Sequence, residues 1–311
     1  MRRAPVWPDA DDEEDFDFIA TDERALGPGV RALLAELGVP EPPHRFPSGS
    51  LPVYAVGRHV LKLFPPVYLD ELPVEAAVLA AVHGRLPVPT PGVHRSGEYE
   101  GWGYILMDRL PGRPLAQAWD DADRDRIADR LGATLAALHA VPAPEVDGWF
   151  PADWDAFAAG QRAGCAGRHR ALGLPSAWAT QIPGFLDRVD LGTGPTVLVH
   201  TEVMRDHLLV DEHGDLSGLI DFEPAVRGVA EYEFAAVGAY GSCGDARFLG
   251  RTLRAYGYRD DQLDAAFRRR LLAWLLLHYY SNLAALLGRL PAPAEPTLEA
   301  LADRWFATTA E

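Results

Sequence analysis

The chain has 311 residues, of which 48% are apolar, 10% aromatic and 24% charged, so it carries ample material for one or two hydrophobic cores and none of the bias of a disordered or fibrous protein. Its 29 basic residues face 45 acidic ones, and the resulting net charge of −16 repels phosphate backbones and anionic bilayers; nucleic acid and membrane are not expected partners. Cys165 and Cys243 show neither metal-ligand spacing nor a disulfide framework, and no secretory leader opens the chain, so a cytoplasmic location is expected.

In chain order, residues 9–17 hold seven carboxylates and read as a solvated acidic tail covering 1–24. Apolar spacing then predicts a helix over 29–37, ending at Gly38. A small-residue turn at 48–50 precedes two short β-rich runs, 53–56 and 59–64, separated by Gly57 and Arg58 as in a hairpin. Residues 73–83 read as a helix with proline at its start and Gly84 at its end, and 103–107 as a buried strand. The pattern turns helical after residue 110: Ile127, Leu131, Leu135 and Leu138 fall on one stripe within 121–141. Three β-like runs interrupt it, at 196–199, 208–210 and 216–220, the last two joined by a turn containing Gly214. The apolar stretch 271–287 contains His278, Ser281 and Asn282, which favours a buried core helix over a membrane span.

The sharpest compositional signal is that 28 of the 29 basic residues are arginine. Lys62, the single lysine, lies in the apolar run 60–64, where an unpaired ammonium would cost several kcal/mol. A site requiring a compact point charge against a phosphate or carboxylate would reject the bulkier forked guanidinium. Glu75, thirteen residues later on the predicted helix, is the candidate partner. The densest polar cluster, His200, Thr201, Glu202, Arg205, Asp206 and His207, follows the strand run at 196–199. Asp221 and Glu223 emerge fourteen and sixteen residues past His207, at the end of the next strand run. Carboxylates delivered together at strand ends suit divalent-metal binding and proton removal. P-loop, dinucleotide-binding, nucleophile-elbow and zinc-protease motifs are all absent.

Together these residues resemble the aminoglycoside phosphotransferase family, with similarity from about residue 40 to residue 290 and the strongest part in the stretch VLVHTEVMRDHLLVDEHGDLSGLIDFEPAVRGVAEYEFA. The resemblance implies an α+β, bilobal, protein-kinase-like fold, with an N-lobe over 25–110 and a mostly helical C-lobe over 111–311. It implies an ATP- or GTP-dependent kinase of a small hydroxylated molecule such as an antibiotic, with Mg²⁺ as cofactor, in a monomer or homodimer. It places Lys62 and Glu75 at the donor phosphates, Ser48, Gly49 and Ser50 in the loop covering them, and Met107, Asp108 and Leu110 where the base is received. Glu202 takes the position of the catalytic aspartate and Thr201 that of its preceding glycine, since the family's H-G-D is here His200-Thr201-Glu202. Asp221 matches the metal-binding aspartate, His207 replaces a metal-binding asparagine, Glu223 adds a carboxylate, and Glu233 replaces a structural aspartate. Arg205 is expected either to neutralise transferring charge or to cap its loop, and His200 to bond structurally or to act in the chemistry. Two rival readings are a nucleotide-binding module without turnover and a metal-dependent hydrolase ligated by His200, Glu202 and His207.

Overall fold

A computed structural model describes residues 6–47, 49–192 and 194–309. The chain divides into two units, one comprising Met1–His83 with Thr90–Leu110, the other Gly84–Pro89 with Pro111–Glu311.

The first unit opens with α1 (Glu13–Ile19) and α2 (Glu23–Leu37), followed by β1 (Pro43–Arg45), β2 (Val53–Val56), β3 (His59–Phe64), α3 (Glu71–Val82), β4 (Val93–Tyr99) and β5 (Trp102–Asp108). Its five strands form an antiparallel sheet in the order β1-β2-β3-β5-β4. The expected hairpin is present as β2 and β3, and the expected buried strand as β5. The acidic run, however, is not a solvated tail. Asp12 caps α1 by accepting from the Asp15 N–H, and Glu13, Glu14 and Asp15 place negative charge in its first turn, where the helix dipole favours it. Phe16 and Ile19, one turn apart, are buried. The helix predicted over 29–37 begins earlier, at Glu23, capped by Asp22 and passing through Pro28. Its Gly29 lets Trp7 pack directly on the helix, since a Cβ there would lie 2.0 Å from the indole ring.

The second unit runs β6 (Arg113–Pro114), α4 (Leu115–Ala118), α5 (Arg124–Ala140), α6 (Trp154–Ala171), α7 (Ser176–Ala179), α8 (Ile182–Arg188), β7 (Thr196–Val199), β8 (Leu208–Val210), β9 (Leu216–Leu219), β10 (Val226–Val229), α9 (Ala230–Ala236), α10 (Ala246–Tyr256), α11 (Ala265–Leu277), α12 (Leu283–Leu287) and α13 (Leu298–Trp305). Strands β6, β8 and β9 form one small antiparallel sheet, and β7 pairs with β10. Helix α5 packs against α10, and its stripe Ile127, Leu131, Leu135 and Leu138 is fully buried. At Gly132 a Cβ would fall 2.2 Å from the Thr252 carbonyl, so the two helices approach with backbone nearly touching backbone. The apolar stretch 271–287 forms two helices rather than one. Helix α11 is buried over Leu271–Leu277 and stops at His278, whose backbone turns extended, and α12 restarts after Asn282 supplies its cap. Among the described residues no helix is long and apolar enough to cross a membrane.

Candidate active site

In the first unit, alternation along β3 puts Lys62 in register with Val53 on one side and Ile105 on the other, deep within the sheet. Its Nζ lies 2.9 Å from Oε2 of Glu75 on α3, with Lys62 3% exposed and Glu75 fully buried. Pairing offsets the cost of keeping two ions out of water. The Lys62 ammonium also sits 5.6 Å above the Phe64 ring. Gly49, with φ +123°, and Ser50 are exposed, whereas Ser48 lies outside the described residues. Met107 is buried and Leu110 partly exposed. The carboxylate of Asp108 is committed locally, accepting from the Gly92 N–H at 3.0 Å and facing His94 Nε2 at 2.7 Å. Although burial opposes ionisation, these bonds hold its pKa below the usual carboxylate range.

In the second unit, the loop after β7 and the loop after β9 carry the polar cluster. Donor atoms of Glu202, His207 and Asp221 all lie within 4.8 Å of one another, and a Glu223 oxygen lies within the same distance of one of Asp221's. His207 Nδ1–H donates to the Glu202 carbonyl at 2.9 Å, a bond that fixes the tautomer and turns Nε2 towards Asp221 Oδ2, also 2.9 Å away. Two donors that close must share a proton or a cation. Burial works against protonating His207, yet the charge and hydrogen bond of Asp221, with help from Glu202, raise its pKa above the ordinary histidine value. Adjacent ligands of one ion at about 2.1 Å are separated by about 3 Å, so the Asp221–His207 spacing fits a divalent cation in place of the proton.

The backbone that presents these groups is strained and then restrained. Thr201 and Asp221 sit at φ +70° and +76°, in the left-handed region where each non-glycine residue costs roughly 1–3 kcal/mol. Thr201 is held there by three bonds: its N–H donates to Glu233 Oε1 at 3.0 Å, its hydroxyl to the Pro224 carbonyl at 3.0 Å, and its own carbonyl accepts from His278 Nε2 at 3.1 Å. Glu233, fully buried, also accepts the His200 N–H at 2.6 Å. Burial opposes its ionisation, but His139 and the His200 N–H outweigh that and keep its pKa below the usual carboxylate range.

Two residues expected to take part in the chemistry are occupied otherwise. His200 is fully buried, donates from Nε2 to the Ile220 carbonyl at 3.0 Å and accepts the Glu202 N–H at Nδ1. Burial lowers its pKa, so it is a neutral brace between the two loops. With both nitrogens engaged, it cannot serve in a His200-Glu202-His207 metal set, which removes the geometric basis of the hydrolase reading. Arg205 donates from Nε and Nη2 to the carbonyls of Gly241 and Ser242 and lies 3.2 Å over the Trp119 ring. It caps its loop rather than reaching for a phosphoryl group. Sequence reasoning missed His278 as a support of Thr201; the one available signal was a histidine inside an otherwise apolar helical run.

The sequence matches the phosphotransferase enzyme family over residues 44–272. The chain belongs to that family. Its chemistry is therefore phosphoryl transfer to an alcohol group. The fold is similar to that of wild-type aminoglycoside 2'-phosphotransferase-IIIa in its GDP complex (TM-score 0.64, 18% identity, 79% of this chain and 87% of that one). It is also similar to aminoglycoside phosphotransferase APH(4)-Ia (TM-score 0.63, 16% identity, 91% and 98% covered). A macrolide 2'-phosphotransferase from Brachybacterium faecium aligns at TM-score 0.58 and 21% identity, with 86% and 99% covered.

Proposed function

We propose that this phosphotransferase uses ATP or GTP to phosphorylate a hydroxyl of a small antibiotic, of the nucleoside or aminoglycoside kind, and thereby inactivates it. The observation that carries the reading is the convergence of Glu202, His207 and Asp221 on one spot of the second unit, each delivered by a restrained loop. Solved relatives of the same fold carry GDP, or AMP-PNP with hygromycin B, according to their descriptions.

In this reading Lys62, fixed by Glu75, contacts the donor phosphates as a point charge that arginine could not imitate. Asp221 and His207, with Glu223 nearby, would hold Mg²⁺, which when bound neutralises charge on the phosphates. Glu202 orients the acceptor hydroxyl and accepts its proton. Both its N–H and its carbonyl are bonded, to His200 and His207, so the carboxylate works from a rigid base and little orientational freedom is lost at the moment of transfer.

The test is a screen of triphosphate consumption against hydroxylated antibiotics, run separately with ATP and GTP. The expected result is acceptor-dependent consumption and a product heavier by one phosphoryl group. Nucleotide binding without consumption across the panel would favour the module that binds but does not turn over.

A further inference from the structure

Three aromatic rings lie together at the surface of the second unit. Phe150, Tyr279 and Tyr280 are 51%, 53% and 53% exposed. Phe150 meets Tyr279 at 5.9 Å between ring centres, Tyr279 meets Tyr280 edge-on at 4.8 Å, and Phe157 flanks Phe150 at 5.2 Å. Apolar rings held half in water at a shared position mark a binding surface more readily than isolated exposed residues do.

The cluster is also tied to the catalytic loop. The Tyr279 N–H donates to the Tyr232 hydroxyl at 3.1 Å, and the Tyr280 N–H to His278 Nδ1 at 3.3 Å. Tyr232 stacks on the His278 ring at 4.8 Å and 11°. His278 Nε2 in turn donates to the carbonyl of Thr201, the residue directly before Glu202. The ring-bearing backbone and the backbone of the candidate base thus share one support, His278. From Phe150 the same continuity runs the other way, since Trp149 donates to the carbonyl of Ala225 at 2.7 Å, four residues past Asp221.

We propose that Phe150, Tyr279 and Tyr280 form the acceptor platform of this site, and that the acceptor carries a flat, apolar-faced ring beside its hydroxyl, as a nucleoside does. The proposal rests on the phosphotransferase reading given above. Size favours a small molecule: three half-exposed rings offer far less than the roughly 800 Å² per partner of a standard protein interface. Chemistry favours a ring, because tyrosine and phenylalanine faces stack on any planar π-system at low entropic cost. An aminosugar offers no planar π-system, and its ammonium groups would meet these open rings only as weak cation–π contacts.

The test uses uridine and adenosine as probes, with kanamycin as the comparison and saturating AMP-PNP present to occupy the donor site. Saturation-transfer NMR should mark the base protons, and Tyr279→Ala and Tyr280→Ala should each weaken nucleoside binding about tenfold. Tyr279→Phe should restore it to within about threefold, because the stacking face is kept. Melting temperatures of the variants control for folding. Unchanged nucleoside affinity in both alanine variants would overturn the platform, as would kanamycin binding that depends on the same tyrosines, or a dimer in sedimentation that those variants dissolve. With ATP or GTP in place of AMP-PNP, tyrosine-dependent nucleoside binding with no phosphorylated product would support the platform and overturn the catalytic reading instead. Product formation indifferent to the tyrosines would do the reverse.

Discussion

Lys62 and Glu202 each pose a question about one side chain that a conservative replacement can answer. Lys62 and Glu75 are both buried and 2.9 Å apart, so the space between strand and helix is set for an ammonium. Lys62→Arg keeps the charge but forces a planar fork into that space, and kcat/KM should fall by more than about 100-fold. Steady-state kinetics near wild type in that variant would refute the point-charge argument. Glu202→Gln preserves shape and hydrogen bonding but cannot accept the acceptor's proton, and kcat should drop by roughly 10² to 10⁴. Glu202→Asp should also be damaging, because the Glu202 backbone is fixed at both ends by His200 and His207 and cannot advance to recover the lost methylene. Full activity in the aspartate variant would show the longer arm to be neutral. The sequence singled out Lys62 by the absence of any other lysine and Glu202 as one of a polar cluster after a strand, while Glu202's role as base is what the family resemblance implies. The roles of Arg205 and His200 were not legible there, because composition and spacing cannot report which partners a buried donor has already found.

At the level of elements, the break between α11 and α12 is the feature with a measurable signature. His278 there is fully buried and chiefly for that reason its pKa falls to about 4, against roughly 6.5 in an unfolded chain. As pH falls, the unfolded state takes up this proton first, so the stability that neutral His278 provides is complete above about pH 6.5. It is lost progressively until about pH 4, a change on the order of 3 kcal/mol. Urea midpoints between pH 7 and 4.5 should decline accordingly, and His278→Gln, which keeps a donor for the Thr201 carbonyl, should flatten part of that slope. His169 and His200, also depressed by burial, supply the remainder, while His207, raised by Asp221, works in the opposite sense. A slope identical in wild type and variant would exclude His278 as a contributor. Elements with one apolar stripe, such as α5, were readable from spacing alone. The last two turns of α11, Leu271–Leu277, are apolar on every side, so its end had no periodic mark, and in α1 the carboxylates that suit a helix N-terminus are the same ones that suggest a solvated tail.

For the molecule as a whole, a net charge of −16 sets the long-range field that a polyanionic nucleotide meets. The screening length shrinks from about 30 Å at 0.01 M salt to about 8 Å at 0.15 M, so the nucleotide association rate constant should rise across that range. Stopped-flow binding measures this directly. A rate that falls instead would mean that local positive charge near Lys62 outweighs the global field. The division into a sheet-bearing first unit and a largely helical second one followed from the change of apolar period after residue 110. The assignment of residues 84–89 to the second unit had no sequence counterpart.

The N-terminal segment also provides an optical handle. Trp7 and Trp102 stack at 5.0 Å with their planes 20° apart, and Trp7 donates from its indole nitrogen to the Tyr99 carbonyl at 2.9 Å. Two indole transition dipoles that close couple as an exciton and give a paired positive and negative band in far-ultraviolet circular dichroism. Both rings belong to the first unit; the second has its own close indole pair, Trp154 and Trp274 at 5.6 Å and 44°, so the first unit's couplet is read as the difference between wild type and a Trp7→Phe variant. Replacing Trp7 with phenylalanine abolishes this pair's couplet and leaves most of the packing, which turns a stretch of chain easily mistaken for solvent-exposed filler into a built-in spectroscopic ruler for about a third of the enzyme.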